Sequence, residues 1–153
     1  MKTAYIELNA TNQISCLSKA SVKKVFSYHG VTFFPNATPA SLAEILNGNY
    51  RYFVIDMGVL NTYTTKEFFR CDKQFLICSP SKWRLPLVKE KIEALLKNTT
   101  AQNHVTVIMN LCEKKSKVPY LSLVHRCVAY PFQQNPFQLE PKEFHALYRI
   151  LKL

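Results

Sequence analysis

Arg51-Tyr-Phe-Val-Ile-Asp56-Met-Gly58 is the segment that points to the fold class of this chain. It runs apolar without alternation and ends in an acid, the pattern of a strand buried on both faces of a parallel sheet. Runs of the same kind recur on either side of it. Residues 3–8, TAYIEL, read as a strand, as do residues 31–34, VTFF, residues 73–78, ending at Cys78, and residues 105–109, VTVIM, followed by Asn110. Helical stretches separate them. Residues 14–28 carry apolar positions at Ile14, Leu17, Val22, Val25 and Phe26, which predicts one helix or two short ones. Thr38-Pro39 opens a helix as N-cap and first residue, with Leu42, Ile45 and Leu46 on its apolar face and Gly48 as its stop. Residues 61–69 predict a short helix. Residues 83–96 predict another, with Leu87, Ile92, Leu95 and Leu96 facing inward. Residues 141–151 close the chain as a helix with Phe144, Leu147, Tyr148 and Leu151 on one face.

This alternation of strands and helices predicts an α/β three-layer sandwich with a mostly parallel central sheet and right-handed crossovers. The length of 153 residues fits a single domain, 1–153, able to bury roughly two thirds of its unfolded surface. No apolar run approaches the roughly 20 residues that span a bilayer, and residues 1–12 do not read as a secretory signal. Lys+Arg number 20 against Asp+Glu 10, a formal net charge of +10. That excess admits nucleic acid or an anionic surface as a partner. Part of it reflects scarce aspartate, present only at Asp56 and Asp72. The basic candidates are Lys82, Arg84, Lys89, Lys91 and Lys97 along one helix and Lys114, Lys115 and Lys117 in one cluster, with Glu90 and Glu93 interrupting the first set. Five cysteines include no C-x-x-C pair, and the four histidines show no H-x-x-x-H spacing, so no metal site is expected. Free thiols fit a reducing cytoplasm. Cys78 at a strand end has no His or acid assignable to it as a catalytic partner.

In parallel sheets function lies at the carboxyl ends of the strands. That places Glu7, Asn9, Asp56, Ser79, Pro80 and Asn110 along one edge. An acid such as Asp56 there can hold a magnesium shell, with Gly58 leaving room for phosphate, or it can simply mark where a buried run meets water.

The order of these segments resembles the MinD/ParA group of deviant Walker ATPases, and within it the CpaE/TadZ pilus-localisation branch. Tyr5-Ile-Glu-Leu-Asn9 resembles the second strand of the group with its acid-x-acid pair, here Glu7 and Asn9. Arg51 to Gly58 resembles the Walker B segment, and residues 71–80, CDKQFLICSP, resemble the strand that ends in a small residue and proline. Residues 104–110, HVTVIMN, resemble the strand whose final Asn contacts adenine, and Val118-Pro119-Tyr120 the loop over the base. Tyr130-Pro131 and the closing helix match the ending of the group.

The resemblance implies Asp56, Gly58, Asn110, Pro119 and Tyr120 as remnants of a nucleotide site. It also exposes departures. The three glycines, Gly30, Gly48 and Gly58, do not form a G-x-x-x-x-G-K-[ST] loop, and such a loop is what cradles phosphate. Met1 aligns with the start of the second strand of the group, so the fold is expected to lack the first strand, the phosphate loop and the first helix. Asn9 stands where a carboxylate belongs and cannot serve as one. ATP hydrolysis is therefore not expected of this chain alone, and no cofactor is expected unless ATP and magnesium meet a phosphate loop supplied upstream.

The function implied is a non-catalytic localisation or scaffold factor, in pilus or secretion machinery. It would be cytoplasmic or peripheral to the membrane through a partner, and would associate with protein partners or itself through residues 57–69. Two alternatives stand beside it. One is the C-terminal part of an active MinD/ParA-like ATPase whose phosphate loop lies upstream. The other is a non-specific DNA-binding protein using the basic candidates. The missing first strand also predicts a tendency to self-associate.

Overall fold

The computed structural model describes residues 2–9, 11–17, 25–79, 81, 83–97, 105–110, 124, 126–130 and 138–151. The chain divides into two compact units, Met1–Arg70 and Cys71–Leu153. Both are mixed α/β with largely parallel strands, as the alternation of the sequence predicts.

The first unit holds β1 (Thr3–Glu7), β2 (Phe26–Tyr28), β3 (Val31–Phe34), α1 (Pro39–Leu46), β4 (Tyr52–Asp56) and α2 (Thr62–Arg70). Its sheet has the order β2-β3-β1-β4, with β1 parallel to both β3 and β4. Ala4, Ile6 and Leu8 point to one face and form a core with Leu42 of α1. Phe34, Ile45, Phe53 and Ile55 pack around them. A lone eight-residue helix is marginal in water, so burial of Leu42 against β1 does much to hold α1. Its start is fixed locally. Thr38 accepts from the Ser41 backbone N–H at 3.2 Å, while the Ser41 hydroxyl accepts from the Thr38 N–H at 2.8 Å, a reciprocal capping box. Asn61 and Thr64 make the equivalent exchange at the start of α2.

Two expectations change here. Residues 14–28 form no long helix. Ile14–Leu17 make one 3-10 turn, and Phe26–Tyr28 form a strand antiparallel to β3. Tyr28 pairs with Val31 across a two-residue turn in which His29 and Gly30 both have positive φ, 45° and 78°. That geometry matches the right-handed twist of the flanking strands. Second, β4 is not buried on both faces. Tyr52 and Val54 are 42% and 50% exposed, because β4 pairs only with β1 among the described residues and α1 covers only the Phe53–Ile55 side.

The second unit holds β5 (Gln74–Cys78), α3 (Leu85–Leu96), β6 (Val105–Asn110), β7 (Arg126–Tyr130) and α4 (Pro141–Leu151). Its sheet is wholly parallel in the order β5-β6-β7. β6 is the most buried strand, with Val105, Val107 and Met109 on one face at most 1% exposed and Thr106 on the other 6% exposed. The C-terminal end of α4 is held by cations. Arg126 donates to the carbonyl of Ile150 at 3.0 Å and also to that of Arg149, and the Lys73 ammonium donates to that of Leu151. Cations are favoured there because the last carbonyls of a helix carry partial negative charge. The expected inward faces of two helices are revised. Ile92 and Leu96 of α3 are buried, whereas Leu87 is exposed. In α4 Ile150 is buried, and Phe144 and Tyr148 are exposed.

Candidate strand-end site

β1 and β4 lie in register, so that Glu7 sits directly beside Asp56. Two carboxylates side by side repel, and each is compensated by different donors. Glu7 is fully buried. Its Oε1 accepts from the backbone N–H groups of Gln13 and Ile14, at 2.6 and 3.3 Å, and from the Thr11 hydroxyl at 3.5 Å. Its Oε2 accepts from the Asn36 N–H at 3.4 Å. A buried carboxylate needs such partners. Glu7 therefore ties together two loops, residues 11–14 and 35–37. Asn36 donates its side-chain amide to Asn12 at 2.8 Å across the same junction. Asn12 and Asn36 both adopt positive φ, 53° and 52°, which asparagine tolerates better than most residues.

Asp56 accepts from the Tyr5 hydroxyl at 3.0 Å through Oδ2 and from the Gly58 N–H at 3.0 Å through Oδ1. Tyr5 pairs with Val54, and reaches Asp56 as a neighbour on the same face of the sheet. Burial pushes the Tyr5 phenol well above its ordinary range, and the Asp56 carboxylate adds to the shift. On the other side Tyr5 continues into an aromatic row, with ring centroids 5.3 Å from Phe33, which lies 5.1 Å from Phe26.

Asn9 completes the cluster. Its amide donates to the Asp56 carbonyl at 3.3 Å, beside the Leu8 N–H at 2.8 Å, and its side-chain oxygen accepts from the Thr11 N–H at 2.9 Å. Gly58 has φ of 58°, and a Cβ there would lie 2.9 Å from the Cβ of Asn9. The space beside Gly58 is thus filled by the chain itself.

The structure brings together Glu7, Asn9, Asp56 and Gly58. Tyr5, Thr11, Gln13 and Asn36 belong to the same cluster and were not among the sequence candidates. The signal for Tyr5 was present, since it lies two residues before Glu7 and therefore on the same side of the strand. The amides of Gln13 and Asn36 had no sequence signal, because any residue supplies a backbone N–H.

Several other candidates belong to the second unit. Asn110 ends β6 and is exposed, and Ser79 follows β5. Burial raises the Cys78 thiol above its ordinary value, which disfavours the reactive thiolate. Arg84 precedes α3 and is exposed, and Lys89 pairs with Glu93 at 3.8 Å. Pro80, Lys82, Lys114, Lys115, Lys117, Pro119, Tyr120 and Pro131 lie outside the described residues. Of the proposed contact segment, Phe68 is buried, Tyr63 packs against the α1 core, and Val59 is 86% exposed. Among the described residues, no group of three or more His, Cys, Asp or Glu side chains is placed to hold a metal ion, and no helix is long and apolar enough to cross a membrane.

Neither a protein-family model nor a curated protein sequence matches the chain. Solved structures do. A ParA family ATPase from Chlorobium tepidum TLS superposes with a TM-score of 0.58 at 12% identity, covering 98% of this chain and 78% of that one. The MinC:MinD cell division protein complex of Aquifex aeolicus gives 0.55 at 14% identity, covering 96% of this chain and 73% of that one. At these identities the likeness is one of fold, and the fold of this chain is similar to that of the MinD/ParA proteins.

Proposed function

We propose that the chain is a non-catalytic MinD/ParA-like protein that acts as a localisation or scaffold factor, nearest in character to the CpaE/TadZ pilus-localisation branch. The observation that carries this reading is the engagement of the strand-end acids. Glu7 is buried among four donors of its own loops, Asp56 is held by Tyr5 and Gly58, and Asn9 replaces the second acid. Glu7, buried with both oxygens held by its own loops, and Asn9, which has no carboxylate, do not fit a hydrated magnesium ion. Nor do the 153 residues contain a G-x-x-x-x-G-K-[ST] loop to cradle phosphate. Phosphoryl transfer rests on both, so no catalytic step is assigned.

Two features support an interacting role. Among the described residues β4 and β5 each end a sheet, and they expose Tyr52 and Val54 in one case and Ile77, 71% exposed, in the other. Open strand edges with apolar side chains favour pairing with another chain. The Aquifex MinD is itself described in a complex with a protein, MinC. Self-association or capture of a protein partner through these edges is the activity proposed.

Sedimentation equilibrium over a concentration series tests it. The expected result is concentration-dependent association that weakens when Val54→Lys is introduced on the β4 edge. A sharp monomer at high concentration, unchanged by that substitution, overturns the self-association.

A further inference from the structure

Trp83 is the only tryptophan of the chain, and it is 90% exposed. Four residues on, Leu87 is 54% exposed. The buried residues of α3, Ile92 and Leu96, lie five and nine positions beyond Leu87. At about 3.6 residues per turn this puts them on the opposite side of the helix. Lys91 and Arg84 are exposed one turn on either side of Leu87, and Ala94 continues the exposed stripe. Glu90 is the one acid beside it. Lys89 and Glu93, which pair with each other, lie off the stripe.

We propose that this stripe is a contact surface for an anionic lipid bilayer. Trp83 and Leu87 would enter the headgroup region, and Arg84 and Lys91 would face the lipid phosphates. Charge complementarity supports this occupant, since the chain carries a formal +10 and anionic membranes attract basic surfaces. The apolar pair selects lipid over the other polyanion. Indole and leucine side chains flanked by Lys and Arg suit a bilayer interface, whereas leucine adds nothing to stacking on bases. The inference goes beyond the scaffold reading and does not rest on it, because nucleotide binding by the chain would leave this surface unchanged.

The single tryptophan makes the test direct. The full chain is titrated with vesicles of phosphatidylcholine and phosphatidylglycerol, and separately with vesicles of phosphatidylcholine alone, while Trp83 emission and acrylamide quenching are followed. The expected result is a blue shift and loss of quenching with the anionic vesicles only. Binding should weaken by about tenfold or more at high salt. Leu87→Ser, which keeps the fluorophore at an exposed site, should reduce binding severalfold with an unchanged circular dichroism spectrum. Trp83→Ser should do the same in vesicle sedimentation. Absence of vesicle binding overturns the proposal. So does binding with unaltered Trp83 emission, and so does quenching of Trp83 by a DNA oligonucleotide without any response to vesicles.

Discussion

The side chain of Asn9 lies between the Asp56 carbonyl, to which its amide donates, and the α-carbon of Gly58. Asn9→Asp would restore the acid-x-acid pattern but set a carboxylate against that carbonyl and close to Asp56. The expected outcome is a loss of about 1–3 kcal/mol in urea unfolding. Gly58→Ala should cost a similar amount, about 1–2 kcal/mol, from positive φ and from the approach to Asn9. Tyr5 gives a pH signature. Its folded pKa is raised, so the unfolded chain loses the phenolic proton first. Its contribution is complete below the ordinary tyrosine pKa of about 10 and is lost as pH rises beyond that value. Urea unfolding between neutral and strongly alkaline pH should show this slope in the native chain and a shallower one in Tyr5→Phe. Little of this cluster was legible beforehand. Glu7 and Asp56 were visible as acids at strand ends, but their partners are backbone amides brought in by loops, which sequence pattern does not mark.

Strands and helices were legible where local chemistry and burial agree. Thr38-Pro39 announced α1 through its cap, and the apolar runs announced β1, β4, β5 and β6. The reading failed at β2, where apolar spacing compatible with a helix gave way to a hairpin closed by the positive φ of His29 and Gly30. It also failed on faces. An unbroken apolar run predicts two covered faces, yet β4 ends its sheet and shows Tyr52 and Val54 to solvent. At this scale α4 offers a clean test. Arg126 holds the last carbonyls of the helix, so Arg126→Ala should destabilise the protein by about 1–2 kcal/mol in thermal unfolding. At the start of β5, Gln74 is 4% exposed and its Oε1 has no hydrogen-bond partner among the described residues. Its Nε2 donates to the Cys71 carbonyl. Gln74→Met should therefore be neutral or stabilising, because it removes an unsatisfied buried oxygen while keeping the volume.

For the molecule as a whole, the likeness to ParA and MinD structures is one of fold, and fold alone does not carry function. In this chain the ends of β1 and β4 carry the cluster of Glu7, Asn9 and Asp56. Its carboxylates hold the chain's own loops, and the sequence has no phosphate-cradling loop of the Walker type. The formal +10 bears on solubility and association rather than on fold. The most direct measurement is magnesium-dependent ATP hydrolysis by the purified chain, run beside Asp56→Ala. The account predicts release of phosphate no faster than the buffer background from either protein. Turnover by the native chain that disappears in Asp56→Ala would contradict it.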